Sequence, residues 1–166
     1  RAEMALIEKT ASPEFVRNTC MYYPSVQVVD DLTEYCNLGD VCKVAFYDEY
    51  DAQTHELPEL QSKLEPELSI ILSGEHWVDV MKPGVTKGGA MRGVQKKLGI
   101  TPEECMAFGD YLNDCELLQS VGESYAMENA HPRLKEMARH IAPSNDEDGV
   151  MRVIRQEFGL TEGGAQ

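Results

Sequence analysis

In the second half of the chain, apolar residues alternate between helix-like and strand-like spacing. Apolar positions between 86 and 98 recur at helical intervals, and Gly99 then ends the predicted helix. Apolar runs too short for a helix predict buried parallel strands. We expect strands at 105–108, 124–127 and 140–142, and further helices at 112–120, 131–138 and 148–158. This alternation is typical of a doubly wound parallel sheet, so the sequence predicts an α/β fold.

The first 80 residues have a less regular pattern. We expect a strand at 41–47, an amphipathic helix at 54–64, and a hairpin of strands 68–72 and 77–81. This order predicts a small α+β module. Because Pro and Gly end both kinds of element, Lys82-Pro83-Gly84 marks a boundary. The predicted domains are therefore 1–82 and 83–166.

Composition and charge exclude several classes of protein. Hydrophobic residues make up 42% and charged residues 27% of the 166, which is a normal globular balance. A formal net charge of −14 repels phosphate backbones, so we expect no nucleic-acid partner. No apolar run reaches the roughly 18 residues of a membrane span, and the first residues lack the apolar core of a signal peptide.

The cysteines are odd in number and form no C-x-x-C pair, which argues against a disulfide framework or a zinc site. We expect reduced thiols in a cytoplasmic protein. The five are Cys20, Cys36, Cys42, Cys105 and Cys115.

One stretch after a predicted strand carries oxygen-bearing side chains. Asp110 follows Gly109, and ligands of open α/β sheets bind beyond the carboxyl ends of the strands. Asn113 and Asp114 follow at three and four residues, which is same-face spacing on a helical turn. Two carboxylates and an amide oxygen there suit magnesium. The alternative is that Asp110 only caps the following helix.

A second stretch breaks local rules around Lys87. A cation in the first turn of a helix opposes the macrodipole, and each Gly inside a helix costs about 1 kcal/mol relative to Ala. Lys87, Gly88 and Gly89 combine both features, and such joint violations often mark a site. Lys87 could hold a phosphate oxygen and offset developing charge. The alternative is an exposed Lys after an ordinary turn.

Two further loops contain acids and a histidine with simpler interpretations. Asp146 and Glu147 are expected to start a helix rather than bind metal, while Asn145 is left open. His131 precedes a Pro and is expected to begin a helix. The tip of the predicted hairpin, Ser73–Trp77, could face a substrate, whereas Trp77 itself is expected to be a buried core residue.

The motifs together resemble the C-terminal half of Cof-type phosphatases of the haloacid dehalogenase-like superfamily. They are G-V-T-K-G at 84–88, L-G-I-T-P-E-E at 98–104, A-F-G-D-Y-L-N-D at 107–114, A-M-E-N-A-H-P at 126–132 and P-S-N-D-E-D-G-V at 143–150. The match is close over 84–160. Residues 41–82 are similar in outline to the family's cap domain, and residues 1–40 match only weakly. The implied fold is the C-terminal half of a doubly wound core plus part of an α+β cap.

The resemblance implies a role for each matching residue. Asp110 would be a ligand of Mg²⁺. Asn113 would orient the phosphate or a metal-bound water. Asp114 would hold Lys87, which would bind the transferring phosphoryl group and act with Asp114 in catalysis. The partner would be a small phosphorylated metabolite, with no membrane or nucleic acid involved.

The sequence departs from the family at the nucleophile. The family's D-x-D-G-T type segment, whose first aspartate attacks phosphorus, occurs nowhere in these residues. We therefore expect this chain to be inactive alone, with strand 105–108 left as a hydrophobic edge. The missing N-terminal segment or a swapped neighbouring chain would complete the core.

The predicted function is hydrolysis of a small phosphate ester, such as a sugar phosphate, through an aspartyl-phosphate in the intact protein. Two alternatives stay open. A phosphomutase or phosphotransferase on the same core would share Lys87 and Asp110. A non-catalytic binding module would show no dependence on magnesium.

Overall fold

The structure is a computed structural model that describes residues 4–35, 39 and 41–160. The chain divides into two compact units, Arg1–Pro83 and Gly84–Gln166. The predicted domain limits and the assignment of each part stay predictions. Within the described ranges, no helix is long and apolar enough to cross a bilayer.

The first unit begins with a β-α-β element that the sequence pattern did not predict. Strand β1 (Ala5–Glu8) and strand β2 (Val26–Val29) pair in parallel and flank helix α1 (Pro13–Tyr22). Ser12 caps α1 by accepting a hydrogen bond from the backbone N of Phe15 at 3.1 Å. Two strands of four residues offer too short a pattern to identify, which is why no element was predicted before residue 41.

The remainder of the first unit is a three-stranded antiparallel sheet with one helix. The elements are β3 (Val44–Tyr47), α2 (Glu56–Leu64), β4 (Ser69–Gly74) and β5 (Trp77–Met81). The predicted order of strand, helix, strand, strand is confirmed, and the sheet order is β3-β5-β4. Helix α2 begins two residues later than predicted, because Asp51 holds residues 53 and 54 in a turn.

The central strand β5 contributes an aromatic side chain and a buried acid. Trp77 is half-buried, with its ring 4.9 Å from that of Tyr47 and 5.7 Å from that of Phe15 between centroids. It is therefore a packing residue that keeps partial exposure. Asp79 is 7% exposed, and both of its oxygens accept hydrogen bonds from Lys43 Nζ at 2.9 Å.

The second unit is a parallel α/β sheet, as the sequence predicts. Its elements are α3 (Lys87–Leu98), β6 (Met106–Gly109), α4 (Cys115–Gln119), β7 (Glu123–Met127), α5 (Pro132–Met137), β8 (His140–Ala142) and α6 (Gly149–Phe158). All strands run parallel in the order β6-β7-β8. Helix α4 packs on β6 and β7, α5 on β7, and α6 on β8. Leu118, Tyr125, Leu134 and Val153 lie in the core.

The helix predicted over 112–120 is only partly correct. Residues Leu112–Asp114 form a 3-10 turn, and the α-helix begins at Cys115. The reason is local, because Asp114 Oδ2 accepts a hydrogen bond from the backbone N of Asp110 at 3.1 Å. That bond tightens the turn, which the apolar spacing alone does not reveal.

Strand β6 is an edge of the sheet that the described residues form. Phe108 on this strand stacks on its register partner Tyr125, with ring centroids 5.1 Å apart. Tyr125 in turn stacks on its partner His140 at 4.7 Å. The three rings form a ladder across the sheet, and Phe108 at its end remains partly exposed.

Candidate active site

The loops that follow the three parallel strands lie at one edge of the sheet. Strands β6, β7 and β8 all point their carboxyl ends to this edge. The backbone N of His131 donates to the carbonyl oxygen of Asp110 at 2.8 Å. The backbone N of Asn145 donates to Asn129 Oδ1 at 3.2 Å, and Ser144 Oγ donates to the same atom at 3.2 Å. Each loop is thus tied to a neighbour, at the position where α/β sheets bind ligands.

Asp114 is the buried hub of this edge. It is 3% exposed, and its Oδ1 accepts a hydrogen bond from Lys87 Nζ at 2.5 Å. Its Oδ2 accepts from the backbone N of Asp110 at 3.1 Å. A Cβ on Gly109 would come within 2.6 Å of the Asp114 Cβ, so only glycine fits there. Both oxygens face protein donors, and Asp114 therefore positions its neighbours.

Lys87 is the first residue of α3 and keeps 52% of its side chain exposed. A cation at this end of a helix is disfavoured by the macrodipole, and the carboxylate of Asp114 offsets that cost. The structure thus brings together two residues that lie 27 positions apart in the sequence. The ammonium is held by a buried partner while remaining open to a ligand.

The glycines after Lys87 are explained by a close contact between α3 and α4. A Cβ on Gly88 would lie 2.5 Å from the carbonyl oxygen of Glu116, a distance that real side chains do not adopt. Thr86 caps α3 by accepting from the backbone N of Gly89 at 3.0 Å, and it donates to Glu116 Oε2 at 2.7 Å. Sequence reasoning missed Thr86 and Glu116. A Thr before a helix is a capping signal, whereas nothing local marks Glu116.

Asp110 and Asn113 supply oxygen atoms without competing protein partners in the described part of the chain. The Asp110 residue is exposed. Asn113 Oδ1 is buried and accepts no hydrogen bond within the described ranges. An unpartnered buried acceptor costs about 1–3 kcal/mol, so this atom is suited to accept from a bound group. A carboxylate and an amide oxygen are the donors that a hydrated Mg²⁺ takes, and both residues fit such an ion.

No three His, Cys, Asp or Glu side chains converge as a metal cluster among the residues that the structure describes. Both oxygens of Asp114 accept hydrogen bonds from protein donors, Lys87 Nζ and the backbone N of Asp110. The roles of Lys87, Asp110, Asn113 and Asp114 stay predictions that this geometry makes testable.

The other loop residues have structural positions. His131 caps α5 through a hydrogen bond from the backbone N of Arg133 to its Nδ1 at 3.2 Å, so it begins a helix as expected. Asp146 and Glu147 lie in a 3-10 turn, Asn145–Glu147, directly before α6. Asn145 is exposed beside Asn129. Of the cysteines, Cys20, Cys105 and Cys115 are free thiols, and Cys36 lies outside the described residues.

Comparison with known proteins decides the family. The sequence profile of the haloacid dehalogenase-like hydrolases matches residues 4–154, which is most of the chain. The chain belongs to the haloacid dehalogenase-like hydrolase family. The resemblance found from the motifs is thereby confirmed.

Named relatives of this haloacid dehalogenase-like hydrolase are phosphatases. It is 34% identical over 138 residues to the 5-amino-6-(5-phospho-D-ribitylamino)uracil phosphatase of Escherichia coli K12. That alignment covers 81% of this chain and 49% of the relative. It is 35% identical over 104 residues to an HMP-PP phosphatase of Escherichia coli O157:H7, covering 63% of this chain and 38% of the relative. The chain therefore spans half or less of the length of these relatives.

The fold of this haloacid dehalogenase-like hydrolase also occurs in solved structures. A haloacid dehalogenase-like hydrolase from Bacteroides thetaiotaomicron superposes with a TM-score of 0.76 at 25% identity, covering 95% of this chain and 59% of that one. The predicted fold class, part of a doubly wound core with a smaller α+β part, is confirmed.

Proposed function

We propose that this chain supplies the phosphate-binding and metal-binding part of a magnesium-dependent phosphatase. The observation that carries the proposal is the ion pair of Lys87 with buried Asp114, placed beside exposed Asp110 at the carboxyl edge of the sheet. A cation, a carboxylate and an unpartnered amide oxygen there suit a phosphoryl group and its metal. The names of the two relatives support hydrolysis of a small phosphate ester.

In the proposed mechanism, Lys87 binds the equatorial oxygens of the transferring phosphoryl group. Charge on these oxygens is stabilised by preorganised donors, and removing one such donor typically costs about 10²–10³ in kcat. Asp114 keeps the Lys87 ammonium in place through Oδ1. Asn113 Oδ1 accepts a hydrogen bond from a water or other donor bound at this edge, which satisfies its buried lone pairs.

Asp110 and Asn113 are the residues of this chain that would hold Mg²⁺ or its water ligands. The ion, when bound, neutralises phosphate charge as a Lewis acid. The backbone of Asp110 is held from two sides, because its N donates to Asp114 Oδ2 and its carbonyl oxygen accepts from the backbone N of His131. These bonds fix the backbone from which the Asp110 side chain extends.

The nucleophile of the proposed reaction comes from outside these residues. No D-x-D-G-T type segment occurs in the sequence. We propose that the family's aspartate attacks phosphorus, forms an aspartyl-phosphate that water then hydrolyses, and is supplied by an N-terminal segment or a swapped chain. Residues 1–166 alone are then inactive.

The first unit is proposed to be part of the cap that reads the leaving group, which is a small metabolite such as a sugar phosphate. A cytoplasmic location accompanies this proposal. The free thiols of Cys20, Cys105 and Cys115 support it, because oxidising compartments favour disulfides.

The test is magnesium-dependent phosphate release from a panel of phosphate esters, measured on the natural protein and on residues 1–166 separately. The panel contains sugar phosphates and the ribitylaminouracil phosphate named for the relative. Asp110→Asn is expected to lower kcat/KM about a hundredfold or more, since it removes the proposed ligand. The control, Asp146→Asn, makes the same charge change at an exposed acid on the same edge and should leave kcat/KM unchanged.

Each outcome separates the alternatives. Activity that needs magnesium and Asp110 supports the phosphatase, and transfer to an added sugar hydroxyl instead of water would indicate a phosphotransferase. If the natural protein hydrolyses no ester and shows no effect of magnesium, the phosphatase proposal fails and a non-catalytic binding module is supported. Turnover by residues 1–166 alone would refute the outside nucleophile.

A further inference from the structure

A second contact, separate from the Lys87–Asp114 ion pair, fastens the start of α3 to α4. Glu116 Oε2 accepts a hydrogen bond from Thr86 Oγ1 at 2.7 Å and one from Arg92 Nη2 at 3.3 Å. Thr86 directly precedes Lys87 in the sequence, and Glu116 is two residues after Asp114. The Lys87–Asp114 ion pair and the Thr86–Glu116 hydrogen bond therefore join two adjacent residues at the start of α3 to two nearly adjacent residues at the start of α4.

The Thr86 hydroxyl accepts one hydrogen bond and donates the other. Its oxygen accepts from the backbone N of Gly89 at 3.0 Å, so its single proton is available for Glu116. The hydroxyl thus caps α3 and docks the capped turn onto α4 at once. Gly88 permits the approach, because its lack of a Cβ leaves room for the Glu116 carbonyl.

The ion pair alone is a weak constraint on Lys87. The Lys87 side chain is 52% exposed, so solvent weakens its attraction to the buried Asp114 carboxylate. Its long stem can also reach Asp114 from several backbone positions. Fixing the ammonium to within a fraction of an ångström requires that the backbone of the helix start be fixed as well. Misplacement of a catalytic group by about 1 Å can cost about 10²-fold in rate.

We infer that Glu116 is a positioning residue for the phosphate-binding lysine, acting through the hydroxyl of Thr86. The inference rests on the proposed function, since it assumes that Lys87 contacts the phosphoryl group. The Glu116 carboxylate bonds to Thr86 and Arg92 rather than to a reacting atom. Its carboxylate fixes the first turn of α3, and the turn fixes where Lys87 meets Asp114.

The test compares three variants of the natural protein. Glu116→Ala should lower kcat about tenfold or more with KM changed less than about twofold, since the lysine stays present but misplaced. Glu116→Gln should restore most of kcat, because its amide oxygen still accepts from Thr86. The matched control is Glu104→Ala. Glu104 is likewise exposed and accepts at a helix start, from the backbone N of Thr101 at 2.8 Å, but at the other end of strand β6.

A second measurement does not depend on turnover. The rate of acylation of Lys87 by a soluble amine-reactive ester is followed by peptide mass spectrometry, with the melting temperature recorded for each variant. Glu116→Ala should raise the Lys87 rate about two- to fivefold, because the ammonium of this half-exposed lysine is then held less firmly by Asp114. Glu104→Ala and Glu116→Gln should leave that rate at the wild-type value.

The outcomes separate positioning from function. Equal loss of kcat in Glu116→Ala and Glu104→Ala, in proportion to lost stability, would overturn the inference. An unchanged Lys87 acylation rate in Glu116→Ala would overturn it too, even if the protein is an active phosphatase. If the wild-type protein hydrolyses no ester, the proposed function fails, while the acylation rates still decide whether Glu116 positions Lys87.

Discussion

The contact between α3 and α4 predicts different effects on stability for the same substitution at two positions of one helix. Gly88→Ala places a Cβ 2.5 Å from the carbonyl oxygen of Glu116 and 2.6 Å from its Cβ. Gly93→Ala, in the interior of the same helix, places a Cβ with no other atom within 4 Å. The two variants differ only in what the added methyl group meets.

The magnitudes follow from two terms. Replacing Gly by Ala inside a helix gains about 1 kcal/mol in either variant, because the unfolded chain loses freedom. Overpacking against a neighbour costs about 1–3 kcal/mol, and only Gly88→Ala meets that cost, since the obstructing atoms are backbone. Gly93→Ala should therefore stabilise by about 1 kcal/mol. Gly88→Ala should be less stable than Gly93→Ala by at least about 1–3 kcal/mol, because it alone meets the overpacking cost and its position in the first turn adds no larger propensity gain.

The assay is urea denaturation followed by far-UV circular dichroism, with hydrogen exchange of the α3 and α4 amides to localise the effect. Gly88→Ala should also lower kcat, because the displaced helix start carries Lys87 with it. Equal stabilisation by both substitutions would refute the close approach of the two helices. Loss of stability in both would refute the helix-propensity term instead.

Two further predictions concern ion pairs. Lys43→Met should destabilise the first unit by about 2–3 kcal/mol, because it leaves the buried Asp79 carboxylate without its cation. The loss is somewhat smaller than for an ion pair with both partners buried, because the Lys43 side chain is 35% exposed. Urea denaturation followed by the fluorescence of Trp77, the single tryptophan, checks this, and Lys43→Met combined with Asp79→Leu should recover stability. The hydrogen bond from Thr86, helped by a nearby guanidinium, lowers the pKa of Glu116 below its usual 4.5. The Glu116 carboxylate therefore contributes fully to stability above pH 4.5, and this contribution is lost as the pH falls through the lowered pKa. Glu116→Gln should reduce the dependence of the unfolding free energy on pH in the acid range. An unchanged dependence would contradict the role of this carboxylate.

Much of the second unit could be predicted from local pattern. The strand predicted at 105–108 overlaps β6 over 106–108, and the strand predicted at 140–142 coincides with β8, although His140 and Ile141 are exposed where a buried strand was expected. Gly99 ends α3 with φ 69°, a conformation that glycine adopts without strain. The first unit was less predictable, since β1 and β2 are four residues each and depend on pairing with one another.

The residues of the candidate site were likewise predictable from the sequence only in part. Asp110 could be found from sequence because it directly follows a buried strand, and Lys87 because it breaks helix rules beside two glycines. Asp114 was assigned to Lys87 only through the family resemblance. The docking of Thr86 on Glu116 could not be predicted, since no local rule relates residues so far apart, and neither could the lack of a donor to Asn113 Oδ1 among the described residues.

What the sequence determined by itself was most of the elements from residue 41 onward, their α/β order and the residue types able to bind phosphate and magnesium, because periodicity and local propensity act over a few residues. What only the tertiary structure decided was which of these side chains meet. The parallel pairing of β6, β7 and β8 brings three loops to one edge, and the absence of a Cβ at Gly88 lets α3 approach α4. Contacts such as Lys87 with Asp114 depend on that packing, which is a property of the whole unit rather than of any segment.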